Sequence, residues 1–140
     1  MENMTINDNH CFCCGTANTS GLKLQFKYPA KGQALSELVI PAYFAGWKNI
    51  THGGLLSMLL DEIMAHACGS DGIWALTAEL TVRFLKPVRV GERISIQGSV
   101  VEKKSRLIKA EGVITDSKGV TIAKGTGSFL ASSPPKKEDS

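Results

Sequence analysis

One segment constrains the fold more than any other: Leu55 to Cys68 is apolar except for Ser57, Asp61, Glu62 and His66. A surface helix carries one apolar stripe and a polar face, whereas this pattern reads as a helix enclosed on most sides. At about 14 residues the run is shorter than the roughly 20 that span a bilayer, so the enclosure must come from protein. The remaining chain is therefore expected to wrap around it. An ionised Asp61 in that setting is costly unless partnered or used in chemistry, which makes it the leading candidate for a functional carboxylate.

The start of the helix carries a second signal. Thr51 can cap the first turn, and Gly53-Gly54 leave bare backbone N–H groups that a ligand oxygen can approach. Such an end favours anions. Gly53 and Asp61 are eight residues apart, about 12 Å at the helical rise, too far to serve one reacting carbonyl in the same subunit. If both act together, the helix start of one protomer and the mid-helix Asp of another must flank a shared cleft at a dimer interface.

Period-two alternation accounts for the rest of the chain. Leu22, Leu24, Phe26 and Tyr28 alternate with lysines and Gln25, and Ala34 to Ile40 follows after the turn Pro29 to Gly32, so the two read as a hairpin. Pro41 to Ile50 reads as a loop, the helix runs from about His52 to Cys68, and Gly69-Ser70-Asp71-Gly72 ends it. A long strand alternates from Trp74 to Phe84 before Pro87, and three more are expected at about 93–103, 106–115 and 119–131. One buried helix with two strands before it and four after gives an α+β fold, a single antiparallel sheet curled around the helix.

The 140 residues fit one domain, expected over 11–131, with a flexible N-terminus over 1–10 and a disordered tail over 132–140. A net charge of +3, spread over 16 basic and 13 acidic residues, does not make the concentrated basic face of a nucleic-acid binder. No glycine-rich strand-to-helix fingerprint for nucleotides is present. Without an apolar signal core or a spanning segment, a soluble, cytoplasmic protein with no membrane partner is expected. Cys11, Cys13 and Cys14 are clustered rather than spread as a disulfide framework, so reduced thiols are expected. Zinc needs four well-spread ligands and one Cys-x-x-Cys supplies two, so no metal is expected unless His10, Cys68 or a second subunit completes the set.

Cys11-Phe12-Cys13-Cys14-Gly15, Gly21-Leu22, Gly46-Trp47, His52-Gly53-Gly54 with Asp61-Glu62, and Thr77-Ala78-Glu79-Leu80 together resemble the hotdog-fold acyl-CoA thioesterases of the PaaI-like, phenylacetate-pathway type. The resemblance spans about residues 11–130, and its most specific element is the Gly pair with an Asp seven positions after the second Gly. It implies a six-stranded antiparallel sheet around one long central helix, a homodimer with two interface sites, and often a homotetramer made of two dimers. It further implies an acyl-CoA substrate and no cofactor beyond the coenzyme A that the substrate carries. Residue by residue, Gly53 resembles the backbone oxyanion donor, Asp61 the catalytic carboxylate, Thr77 the hydroxyl that helps place water, and His52 the helix-start His. Gly54 and Glu62 are supporting or substrate-binding positions. One branch of the family has an Asn where this chain has Gly46, and no role falls to Asn49.

The expected chemistry is hydrolysis of a thioester to free acid and coenzyme A. A Gly53 N–H holds the developing oxyanion while Asp61 activates water or attacks directly through an anhydride. A non-catalytic acyl-CoA binding module, or another hotdog enzyme such as a hydratase or dehydratase, is the alternative. Tyr43, Phe44 and Trp47 either line the pocket or join the core, and Lys103, Lys104, Arg106 and Lys109 either meet coenzyme A phosphates or form an exposed basic turn.

Overall fold

A computed structural model describes residues 9–133. Most of the expected flexible N-terminus and disordered tail lies outside these residues. Of the part within, Asn9 accepts a hydrogen bond from Ala17 N and Ser132 donates one to Trp74 O, so both ends are tied to the body.

The elements run β1 (Phe26–Lys27), β2 (Gln33–Val39), a 3-10 turn (Ala42–Phe44), α1 (Gly53–Ser70), β3 (Ala75–Phe84), β4 (Arg93–Lys104), β5 (Leu107–Asp116) and β6 (Thr121–Ala131). All six strands pair antiparallel in one sheet, in the order β1-β2-β4-β5-β6-β3. The helix lies against one face and touches β2 to β6. Leu59, Leu60, Ile63 and Met64 of α1 meet Ile94, Ile96, Ile108, Ile114, Ile122 and Phe129 in the core. This is the α+β arrangement that the alternation predicts.

A row of glycines seats the helix. Gly98 of β4 pairs with Gly112 of β5, which pairs with Gly125 of β6. A Cβ on Gly98 would lie 2.7 Å from the Ile63 carbonyl oxygen, and one on Gly112 would lie 3.0 Å from a Leu60 methyl. Three adjacent strands thus lack side chains where α1 comes closest.

The first strand departs from expectation. Only Phe26 and Lys27 pair with β2, because Lys23 turns into the left-handed region at φ 52° and breaks the extended run. The amides of Leu22 and Leu24 bond instead to the carbonyls of Phe12 and Cys13. The alternation still buries Leu24, so it reports burial but not sheet pairing. The helix also runs through Gly69 and Ser70. The Ser70 hydroxyl donates to Ala67 O and accepts from Gly32 N, and both Gly69 and Ser70 are buried. The chain turns only at Asp71 and Gly72, the latter at φ 78°. The Pro41 to Ile50 segment is a loop apart from its 3-10 turn.

Candidate active site

The helix start is capped by His52, not by Thr51 as its position suggested. His52 is extended, at φ −61° and ψ 132°, and its Nδ1 accepts from Gly54 N at 2.8 Å. An accepting Nδ1 is unprotonated, so the ring is the neutral tautomer with hydrogen on Nε2. Thr51 sits one residue too early: its N–H bonds to Val88 O, and its buried hydroxyl has no partner among the described residues. The cap consumes the Gly54 N–H. The Gly53 N–H donates to no acceptor among the described residues, so of the two expected bare amides one remains. It lies beside Phe84, whose ring would meet a Cβ on Gly53 at 3.3 Å.

Two turns further along α1, Asp61 is half-buried rather than enclosed. Gly54, Met58, Asp61, Glu62 and Ala65 are likewise not fully covered by this chain, so the helix has one open stripe that the apolar sequence conceals. The Thr77 hydroxyl donates to Asp61 Oδ1 at 2.7 Å. Thr77 reaches the helix at an irregularity in β3: it pairs with Phe129 while Glu79 pairs with the adjacent Ser128, so Ala78 is an extra, bulged residue. Bulges re-aim side chains beside functional sites. Here the bulge follows Thr77, and the bond leaves Oδ2 of Asp61 to other partners.

β3 is one of the two outer strands of the sheet, opposite β1, and presents Leu76, 55% exposed, and Phe84, 54% exposed. A long, partly apolar edge strand is a template for pairing with another chain.

Glu62 belongs to a different cluster. Its Oε2 is 3.3 Å from His66 Nε2, as their helical spacing suggested, and 3.6 Å from Cys11 Sγ. His66 Nδ1 lies 2.9 Å from the Tyr28 hydroxyl, and its ring stacks on Phe26 with centroids 3.6 Å apart. Burial would raise the Glu62 carboxyl, but His66 and the Cys14 and Cys11 thiols outweigh it and hold the carboxyl below its usual range. Burial, with Glu62 nearby, pushes the Cys13 thiol up to about 12.

The structure therefore brings Asp61 and Thr77 together, gathers His52, Gly53 and Gly54 at the helix start, and separates Glu62 from both groups. The contacts of Glu62 with Cys11, of His66 with Tyr28, and of Gly53 with Phe84 carry no signal in local spacing. Phe44 packs against the core, while Tyr43 and Trp47 are exposed and Lys48 Nζ sits 4.6 Å from the Trp47 ring centroid. Lys103 is engaged by Asp71 at 2.7 Å, and Arg106 Nε donates to Ala131 O. Among the described residues no helix is long and apolar enough to cross a membrane.

Comparison with known proteins assigns the chain to a family. The Thioesterase superfamily profile matches residues 48–123, more than half of the chain. A putative esterase of Saccharolobus solfataricus is 31% identical over 71% of this chain and 71% of its own length. The acyl-coenzyme A thioesterase PaaI of Escherichia coli is 28% identical over 68% of this chain and 69% of its own. The PaaI structure superposes with a TM-score of 0.76 at 23% identity, covering 81% of this chain and 82% of that one. A solved thioesterase superfamily protein reaches a TM-score of 0.82 at 22% identity, with 87% of this chain and 60% of that chain covered. A Streptococcus pneumoniae hypothetical thioesterase, solved with coenzyme A, gives 0.75 at 18% identity over 81% of this chain and 88% of its own. The family model, these relatives and the six-stranded sheet around one helix lead to one conclusion: the chain belongs to the thioesterase superfamily and is a PaaI-like thioester hydrolase of the hotdog fold.

Proposed function

We propose that the protein hydrolyses acyl-CoA thioesters to free acid and coenzyme A at two sites, each shared between the subunits of a homodimer. The observation that carries this reading is the 2.7 Å bond from Thr77 to Asp61 beside an open sheet edge. It holds a carboxylate ready at a place that a second chain can cover. Coenzyme A as the carrier is supported by the S. pneumoniae fold relative solved with it and by the acyl-CoA activity named for PaaI. Variants of the S. pneumoniae protein were also solved with Ala replacing an Asp and a Thr sixteen positions apart, the separation of Asp61 and Thr77.

The thioester carbonyl would sit against the Gly53 N–H of one subunit, where the helix dipole adds to the hydrogen bond and the developing oxyanion gains roughly 10²–10³ in rate. Asp61 of the facing subunit takes a proton from water through Oδ2, while Thr77 fixes the carboxylate through Oδ1. The hydroxide adds to the carbonyl, and collapse of the tetrahedral intermediate expels coenzyme A as its thiolate. The approximately 12 Å along α1 between Gly53 and Asp61 is the reason for assigning them to different subunits. Two such dimers would make the tetramer.

The test is thiol release from short, medium, long and aromatic acyl-CoAs by wild type and Asp61→Asn. Release by wild type, with a loss of about 10²–10⁴ in a folded, dimeric variant, is the expected result. Binding of acyl-CoA without release by wild type, or undiminished release by the variant, would overturn it.

A further inference from the structure

Of the four cysteines, Cys13 and Cys68 are core residues. Cys11 and Cys14 turn the other way, towards Glu62, and one ligand atom from each of these three side chains lies within 4.8 Å of the other two. We propose that Cys11, Cys14 and Glu62 hold one zinc ion, with the fourth position left to water, and that the ion fastens residues 9–25 to the central helix.

The geometry is close to that of a bound ion. With Zn–S near 2.3 Å and Zn–O near 2.1 Å, tetrahedral ligand atoms sit about 3.6–3.8 Å apart. Cys11 Sγ and Glu62 Oε2 are already 3.6 Å apart, and the widest separation needs to contract by only about 1 Å. The two thiols come from one tight turn, closed by Gly15 N donating to Cys11 O at 2.8 Å. A Cβ on Gly15 would collide with the backbone of Cys11 and Asn9, so no other residue fits there and the turn that aligns the thiols depends on it. The third ligand arrives from α1, which a count of ligands within the N-terminal segment could not include.

The surroundings fit as well. A ligating carboxylate is usually oriented by a further hydrogen-bonding group. Glu62 has one in His66, itself fixed by the Tyr28 hydroxyl and the Phe26 ring. A divalent ion would convert both thiols to thiolates and offset two of the three negative charges, leaving the remaining one beside the His66 ring. Two soft thiolates select zinc over magnesium or calcium. The segment so fastened has reason to need it: between residue 9 and Phe26 no strand or helix forms, and turn hydrogen bonds are its main internal support.

Full-length protein produced with zinc in the medium and washed with a weak chelator is expected to carry about one zinc per chain. Cobalt(II) added to reduced, metal-stripped protein should produce thiolate-to-cobalt charge transfer and the visible bands of a four-coordinate ion. Cys14→Ser should remove about half of the charge-transfer intensity, and Glu62→Gln, which keeps the side-chain shape, should lower zinc affinity at least about tenfold. Zinc near zero in wild type, with no charge transfer on cobalt addition, overturns the site whatever the variants do. Reduced protein that takes up no zinc but forms a Cys11–Cys14 disulfide in air does so too, and assigns the pair to thiol chemistry.

Discussion

Thr77 Oγ1 and Asp61 Oδ1, 2.7 Å apart, join the edge strand of the sheet to the middle of the central helix. The bond does two things: it fixes the rotamer of the carboxylate and it leaves Oδ2 without a hydrogen-bond partner among the described residues. Thr77→Ala should lower kcat about 10–100-fold with little change in KM, the range found when a supporting hydrogen bond is removed. Thr77→Ser, which keeps the hydroxyl, should recover most of the loss. Equal kcat for wild type and Thr77→Ala on a common acyl-CoA would reduce the threonine to a strand residue.

The cap at the helix start makes a separable prediction about stability. His52 Nδ1 accepts from Gly54 N, and a Cβ on residue 54 would lie 2.9 Å from that same nitrogen. His52→Ala should cost about 1 kcal/mol through loss of this hydrogen bond. Gly54→Ala displaces the same ring but gains up to about 1 kcal/mol of helix propensity, so it should cost less, and the double variant should cost no more than His52→Ala, because the bond can be lost only once. Denaturant melts of the four proteins check it, and additive losses would mean that the ring holds the helix by other contacts.

Much of this architecture is legible in the sequence because apolar residues recur at the period of each element. The alternation from Trp74 to Phe84 gives β3, although this chain buries none of its residues, and the apolar run around Asp61 gives α1. The same signal misleads at Leu22 to Tyr28, where alternate residues are buried but Lys23 turns left-handed and the amides bond to the Cys11–Cys14 loop. Periodicity does not distinguish a strand from an extended segment folded over a turn. It also hides the open stripe through Met58 and Asp61, since a face that this chain leaves uncovered is as apolar as one it covers. In the candidate site, His52, Gly53, Asp61 and Thr77 are legible as a motif. The assignment of the cap to His52 needed backbone dihedrals, and the meeting of Glu62 with Cys11 and Cys14 needed the tertiary fold. The glycine row has no local signature either, since Gly98, Gly112 and Gly125 come together only through strand register.

That row predicts a sharp contrast between glycines. A Cβ at Gly98 meets the Ile63 carbonyl oxygen at 2.7 Å, and neither backbone can yield without moving the helix from the sheet. Gly98→Ala should lose about 1–3 kcal/mol as overpacking. Gly91→Ala, at φ 89° with nothing near its Cβ, carries only the penalty of a left-handed backbone, about 1–2 kcal/mol, and should leave the helix seat intact. Near-ultraviolet circular dichroism would separate the two, with core signals altered in Gly98→Ala alone.

Cys68 contributes to an alkaline limit that it shares with Cys13. Cys68 is fully buried near the end of α1, and burial, aided by the Asp71 charge, pushes its thiol from 9.0 up to about 11. The folded state therefore keeps a proton that the unfolded chain gives up first. This contribution is fully present below pH 9, is lost as pH rises towards 11, and amounts to roughly 3 kcal/mol at most. Cys68→Ala should be less stable at pH 7 from the small cavity it leaves, yet should show a flatter decline in melting temperature between pH 9 and 11. Parallel declines would locate the alkaline sensitivity elsewhere.

The shared site can be tested without a partner-bound structure, because Gly53 can lose its N–H and little else. Gly53 is the first helical residue, where proline is favoured, and His52 before it is already extended, as the residue before a proline must be. Gly53→Pro should retain the fold, once the exposed Phe84 ring gives way slightly, and lose about 10²–10³ in kcat as the oxyanion donor disappears. Asp61→Asn lacks the base but keeps the donor. In a dimer that carries one chain of each, one interface combines the intact Gly53 with the intact Asp61, and the other combines the two defects. Unfolding and refolding equal amounts of the two variants together should therefore restore about a quarter of wild-type activity, half of the dimers being mixed and half of their sites complete. If Gly53 and Asp61 of the same chain served one substrate, every site in the mixture would keep one defect, and no activity would return.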